Sequence, residues 1–124
     1  MNTNPTIVMG ILNITPDSFA DGGRHFNFAD AIKRGENMIA EGAEIIDVGG
    51  ESTRPGAERI TEAEERNRVM PVIVELKKLG AVISIDTMRA KIANEAILAG
   101  ATYINDVSGG LADPDMIKTV VANP

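Results

Sequence analysis

Residues 80–86 read GAVISID, from Gly80 to Asp86, and this stretch decides the fold. A glycine just past a helix is the usual left-handed stop. Val82, Ile83 and Ile85 then make a short, β-branched, buried strand, and Asp86 closes it. The same unit recurs on either side. Gly42-Ala43 leads into Ile45–Asp47, and Gly100-Ala101 leads into Tyr103–Asp106. Helix, glycine stop, buried strand and terminal acid form the βα rhythm of a parallel sheet. An apolar run from Ile7 to Leu12, ending at Asn13, adds a strand in front. Pro16 cannot extend a central strand, because it has no N–H. The four carboxyl ends then carry Asn13, Asp47, Asp86 and the pair Asn105-Asp106. Parallel strands put all of these on one side of the sheet, where ligands bind in α/β proteins.

Helical patterns fill the gaps. Phe28–Glu41 sets Ala31, Ile32, Gly35, Met38 and Ile39 on one face. Thr61–Leu79 opens on Thr61 and Glu64, a capping box, with a core face of Val69, Val72, Ile73, Leu76 and Leu79. Pro71 lies inside this pattern and predicts a kink. Arg89–Ala99 offers Ala93, Ala96 and Ile97, with Leu98 beside them. A last helix is expected from Asp113-Pro114, a cap residue followed by proline at the first helical position. No linker or low-complexity segment divides residues 1–124, so one domain is expected.

Composition narrows the function. Of 124 residues, 44% are apolar and 24% charged, the balance of an ordinary soluble domain. With no cysteine, disulfides, thiolate zinc sites and cysteine nucleophiles are excluded, which fits a reducing compartment. No apolar run approaches the roughly 20 residues that span a membrane. The opening MNTNPT has no signal-peptide character, so the expected location is cytoplasmic, away from membranes. A net charge of −6 argues against nucleic-acid binding. Yet four of the seven arginines, Arg24, Arg54, Arg59 and Arg89, follow strand ends, a placement that suits a small anionic ligand.

Two loops carry the chemistry. In MGILNITPDSFADGG, Met9–Gly23, a polar loop begins at Asn13 and runs to about Asn27, longer than the roughly 12 residues usual in a compact domain. In IIDVGGESTRPG, Ile45–Gly56, Gly49, Gly50 and Gly56 let the backbone approach a ligand. Glu51, Ser52, Thr53 and Arg54 lie between them. Hydroxyls, amides and a guanidinium make a phosphate cradle. It is neither a P-loop nor a Rossmann fingerprint, because the glycine and lysine spacings differ. His25, the only histidine, reads as a solvated side chain in the first loop.

Together Met9–Gly23, Ile45–Gly56, Ser84–Thr87 and Ile104–Gly109 resemble dihydropteroate synthase, a family of folate-pathway enzymes. The resemblance extends from Ile7 onward. It implies an α/β fold, the (β/α)8 TIM barrel, of which these residues supply the first four βα units, a half barrel. It implies a condensation of 6-hydroxymethyl-7,8-dihydropterin pyrophosphate with p-aminobenzoate, yielding 7,8-dihydropteroate and pyrophosphate. By the same resemblance, Asn13 would hold the magnesium ion (Mg²⁺) that accompanies the pyrophosphate. Thr53 and Arg54 would belong to the second substrate loop, with Thr53 near the pyrophosphate. Phe19 and Pro55 would flank the p-aminobenzoate ring, and Asp86 and Asn105 would hydrogen-bond the pterin. Asp86, Asn13 and Arg54 are thus the implied catalytic set, with Asp47 and Asp106 in supporting roles. Pyrophosphate would leave first, and the amine would attack the cation left behind.

A whole barrel needs about 250 residues. The family's later pterin-binding Asp, its Lys-Ser pair, its Arg-x-His and its dimer helices have no counterpart here. The expectation is therefore the amino-terminal half of a homodimeric enzyme, inactive alone and prone to self-associate through open edges. Ile11, Ile45, Ile46 and Ile85 are the residues expected to line the barrel's interior. The competing reading is a non-catalytic, open four-stranded α/β domain that binds an anion or a protein partner.

Overall fold

The structure, a computed structural model, describes residues 7–14, 28–51 and 59–106. Four parallel strands stand in the order β1-β2-β3-β4. They are β1 Met9–Asn13, β2 Ile45–Gly49, β3 Val82–Asp86 and β4 Tyr103–Asn105. Between them run α1 Phe28–Ala40, α2 Glu62–Lys78 and α3 Ala90–Ala99. The helix expected from Asp113 lies outside the described residues. The three glycine stops are real: Gly42, Gly80 and Gly100 have φ of 104°, 83° and 122°, the region glycine enters without penalty.

Thr61 caps α2, its hydroxyl accepting from the Glu64 amide at 3.1 Å. Only this half of the expected box is formed. The Glu64 carboxylate turns forward to Arg68 instead, at 2.9 Å. The helix continues through Pro71, which lies on its exposed side. Arg89 is the N-cap of α3 rather than its first residue, and its amide is held by the Thr87 hydroxyl at 3.1 Å.

Register fixes which residues share a face. Gly10, Ile46 and Ile83 are level; so are Leu12, Val48, Ile85 and Ile104. These rows face the helices. Leu12, Ile46, Val48, Ile83 and Ile85 form one core with Val69, Val72, Ile73 and Leu76 of α2 and Ile92 and Ala96 of α3. Burying each of the larger aliphatic side chains contributes about 1.5–3 kcal/mol. Glycine lets α1 approach on both sides: a Cβ at Gly10 would lie 2.9 Å from Met38 Sδ, and one at Gly35 2.7 Å from Leu76 Cδ2.

The alternate residues face away from the helices. Met9, Ile11, Val82 and Tyr103 on that face are 44%, 51%, 38% and 52% exposed. Side chains alternate along a strand, so neighbours such as Ile45 and Ile46 cannot share a face. Of the four residues expected in a barrel interior, Ile11 and Ile45 are on this face. Ile46 and Ile85 belong to the core beneath the helices. Leu79, read as core, is 52% exposed at the cap of α2, and the fully buried Ile92 takes a place in α3 that the helical pattern missed.

Candidate active site

Asn13, Gly49, Asp86 and Asn105 form one row across the carboxyl edge of the sheet. All four project to the face without helices, because they alternate with Leu12, Val48, Ile85 and Ile104. Three of the four strand-end expectations therefore meet in a single row. Asp47 does not end its strand. β2 continues through Val48 and Gly49, so Asp47 is level with Ile11 and Ser84, two residues back from the edge.

Asp47 is nonetheless the most enclosed carboxylate on this face, 2% exposed beside the equally buried Ser84. Asn105 Nδ2 donates to its Oδ2 at 3.3 Å, while Oδ1 is buried without a hydrogen-bond partner. A buried acceptor left open costs about 1–3 kcal/mol, and a ligand N–H would satisfy it. Beside it, the half-buried Asp86 carboxyl is pushed up to about 6. Burial is the largest cause, followed by the charges of Asp47, Glu65 and Asp106. Gly49 keeps the wall beside Asp86 open, since a Cβ there would lie 3.3 Å from the Asp86 Cβ and Oδ2. The row thus offers a proton-sensitive carboxylate, an open acceptor and two carboxamides.

Behind the edge lies a lattice of buried charge. Arg89 Nη1 donates to Glu65 Oε1 at 2.7 Å and lies 3.6 Å from Glu51 Oε2, while Nη2 donates to the Ile60 carbonyl. Glu51 Oε1 accepts from Arg59 Nε and from the Ile60 amide, both at 3.0 Å. Arg68 Nη1 donates to the Gly50 carbonyl at 2.9 Å. Two of the arginines read as anion binders, Arg59 and Arg89, are therefore committed to carboxylates of the chain itself. Glu51, read as part of a phosphate cradle, instead closes the base of its loop.

Sequence reasoning passed over Glu65, which is fully buried. A signal existed, because it sits four residues before Val69 on the apolar face of α2, where an acid needs an internal partner. Thr53, Arg54, Pro55 and Phe19, with Arg24 and His25, lie outside the described residues. The exposed Asn13 carboxamide suits one position in the shell of a Mg²⁺ ion. Among the described residues no group of three His, Cys, Asp or Glu could cage a metal, and Mg²⁺ bound to phosphate needs only one or two protein ligands.

A parallel βα sheet with carboxamides and a carboxylate along its carboxyl edge presents them where α/β proteins bind their ligands. The chain belongs to the pterin binding enzymes, whose family profile matches residues 9–123. It is similar to the dihydropteroate synthase of Bacillus subtilis, with 55% identity over 112 residues, 90% of this chain and 39% of that one. The dihydropteroate synthase of Xanthomonas albilineans, solved with 4-aminobenzoic acid, superposes with a TM-score of 0.88 and 41% identity, covering 98% of this chain and 45% of that one. That of Burkholderia cenocepacia, complexed with 7,8-dihydropteroate, gives 0.82 and 42%, covering 97% and 39%. Such structures are TIM barrels, and the four parallel strands and three helices described here match part of one. The chain spans about two fifths of the length of these relatives.

Proposed function

We propose that this chain supplies the pterin side of a dihydropteroate synthase site, condensing 6-hydroxymethyl-7,8-dihydropterin pyrophosphate with p-aminobenzoate to 7,8-dihydropteroate and pyrophosphate. The observation that carries the reading is Asp86, half-buried in one row with Asn13 and Asn105 on the face opposite the described helices. A pterin edge presents N–H donors. An ionised Asp86 accepts from one of them, Asn105 offers both a donor and an acceptor, and the open oxygen of Asp47 offers a further acceptor. As the carbon–oxygen bond to pyrophosphate breaks, positive charge develops on the pterin and its methylene. A carboxylate already in place opposes that charge without reorganising. The amine of p-aminobenzoate then attacks the methylene carbon and loses its proton.

Asn13 is the residue that would hold Mg²⁺ at this edge, where the ion would neutralise the leaving pyrophosphate. Sequence resemblance supports Thr53 near the pyrophosphate, Arg54 beside it in the second substrate loop, and Phe19 and Pro55 at the p-aminobenzoate ring. It supports a homodimer for the whole enzyme as well. The direct test is a titration of the complete synthase carrying these residues with the dihydropterin pyrophosphate. Saturable binding that weakens on Asp86→Asn is expected, together with p-aminobenzoate-dependent formation of dihydropteroate. Absence of saturable pterin binding would defeat the reading.

A further inference from the structure

Arg89 is three residues beyond Asp86, and its guanidinium is shared by three acceptors drawn from two other parts of the chain. One is Glu65 on α2, whose side chain is 1% exposed; the others are Glu51 and the Ile60 carbonyl, at the two stems of the segment that leaves β2. Glu51 in turn bridges those stems by accepting from Arg59 Nε and the Ile60 amide. The first stem begins at Gly49-Gly50, whose backbone packs against Asp86 on one side and against Val69 and Arg68 on the other. Resting on the functional reading above, we propose that Arg89 is a positioning residue that locks both stems of the β2–α2 connection against the turn that carries Asp86.

The chemistry explains why the residue is an arginine. Three acceptors in different directions need the planar fork of a guanidinium, whereas an ammonium is a point charge that cannot reach all of them in fixed geometry. Two carboxylates this buried, with side-chain exposures of 8% and 1%, also need a permanent cation. The lattice therefore sets where residues 51 and 60 stand. Chain connectivity passes that placement to Thr53, Arg54 and Pro55, which lie between them in sequence, while Asp86 and Asn105 are held by the strand register.

The test separates position from stability. In the complete synthase, Arg89→Lys keeps a cation and loses the fork, and Glu51→Gln keeps the shape and weakens the bridge. Hydrogen exchange at the Ile60 amide, which Glu51 holds, is expected to accelerate about tenfold or more in both variants. Exchange at the Thr87 amide, bonded to the Asn105 carbonyl at 3.1 Å, should stay within about twofold. In turnover, KM for p-aminobenzoate should rise about tenfold, while the affinity for 6-hydroxymethylpterin, which lacks the pyrophosphate that Thr53 would meet, stays within about twofold. Equal acceleration at Ile60 and Thr87, which marks a general loss of stability, would overturn the proposal. So would unchanged exchange at Ile60, or a parallel loss of affinity for p-aminobenzoate and 6-hydroxymethylpterin. Should the unsubstituted protein make no dihydropteroate, it is the functional reading that fails. The exchange measurement still decides the positioning role.

Discussion

Asp86 is expensive to keep ionised, and that expense gives its role a signature in stability. In the unfolded chain its carboxyl titrates near 4; in the fold, burial and the neighbouring acids raise it to about 6. The folded state therefore binds the extra proton between about pH 4 and 6, and stability falls as pH rises through that window. Because the group is only half buried, solvent screening reduces the penalty above pH 6 to about 1 kcal/mol. Asp86→Asn in the complete synthase should raise the melting temperature at pH 7.5 by about 2–4 °C and leave it unchanged at pH 4. Turnover should fall about 10²–10³-fold in the same variant. Melts at the two pH values check the sign: a variant less stable at pH 7.5, or one that keeps half its turnover, contradicts it. Pterin affinity should likewise weaken about tenfold per pH unit below about 6 in the unsubstituted protein, and Asp86→Asn should flatten that profile. At this scale the sequence was a partial guide. Asp86, Asn13 and Asn105 were legible because each follows a run of strand-forming residues. Asp47 was misplaced by two residues, since Val48 and Gly49 read as loop but pair as strand. The three partners of Arg89 are 24, 29 and 38 residues away along the chain, separations no local pattern encodes.

The elements were legible for a specific reason: each βα unit announces its own boundaries. Gly42, Gly80 and Gly100 stop three helices, and Thr61 starts one, so propensity and fold agree at these points. What stayed hidden is how closely the elements pack, which depends on pairs such as Gly35 with Leu76. These two kinds of glycine respond differently to substitution. At Gly42 a Cβ meets nothing within 4 Å, and only the positive φ of 104° resists it. Gly42→Ala should therefore cost about 1 kcal/mol through left-handed backbone strain. At Gly35 alanine gains helix propensity, but its Cβ would lie 2.7 Å from a Leu76 methyl that is itself fully buried. Gly35→Val adds bulk that α1 can accommodate only by moving off α2, with an expected loss of about 2–3 kcal/mol. Denaturant unfolding of both variants in the complete synthase orders them. If Gly35→Val unfolds at the same midpoint as the parent, or Gly42→Ala is the more damaging, this account of the α1–α2 contact is wrong.

Among the described residues, helices cover the sheet on one side only. α1, α2 and α3 cover Leu12, Ile46, Val48, Ile83 and Ile85, while Met9, Ile11, Val82 and Tyr103 stand exposed on the opposite face. Among the described residues β1 and β4 are its edges, and each presents a row of unpaired backbone donors and acceptors. In a closed barrel the uncovered face becomes packed interior and both edges find partners. Among the described residues neither form of cover is present, so apolar burial and edge pairing both favour association. A polypeptide of these 124 residues should sediment as a dimer or larger species at micromolar concentration, with no synthase activity in the same sample. Ile11 and Tyr103 are on the two edge strands and more than half exposed, so lysine there adds charge to the contact without disturbing the core beneath the helices. The double variant Ile11→Lys, Tyr103→Lys should shift the distribution toward monomer while the helical circular dichroism is retained. Adding the remaining strands as a separate polypeptide should compete with self-association for the same face and edges, and restore some turnover. If the 124-residue chain instead sediments as a monodisperse monomer, or the double lysine variant associates as strongly as the parent, then the exposed face is not what drives association, and its four apolar side chains are simply tolerated in water.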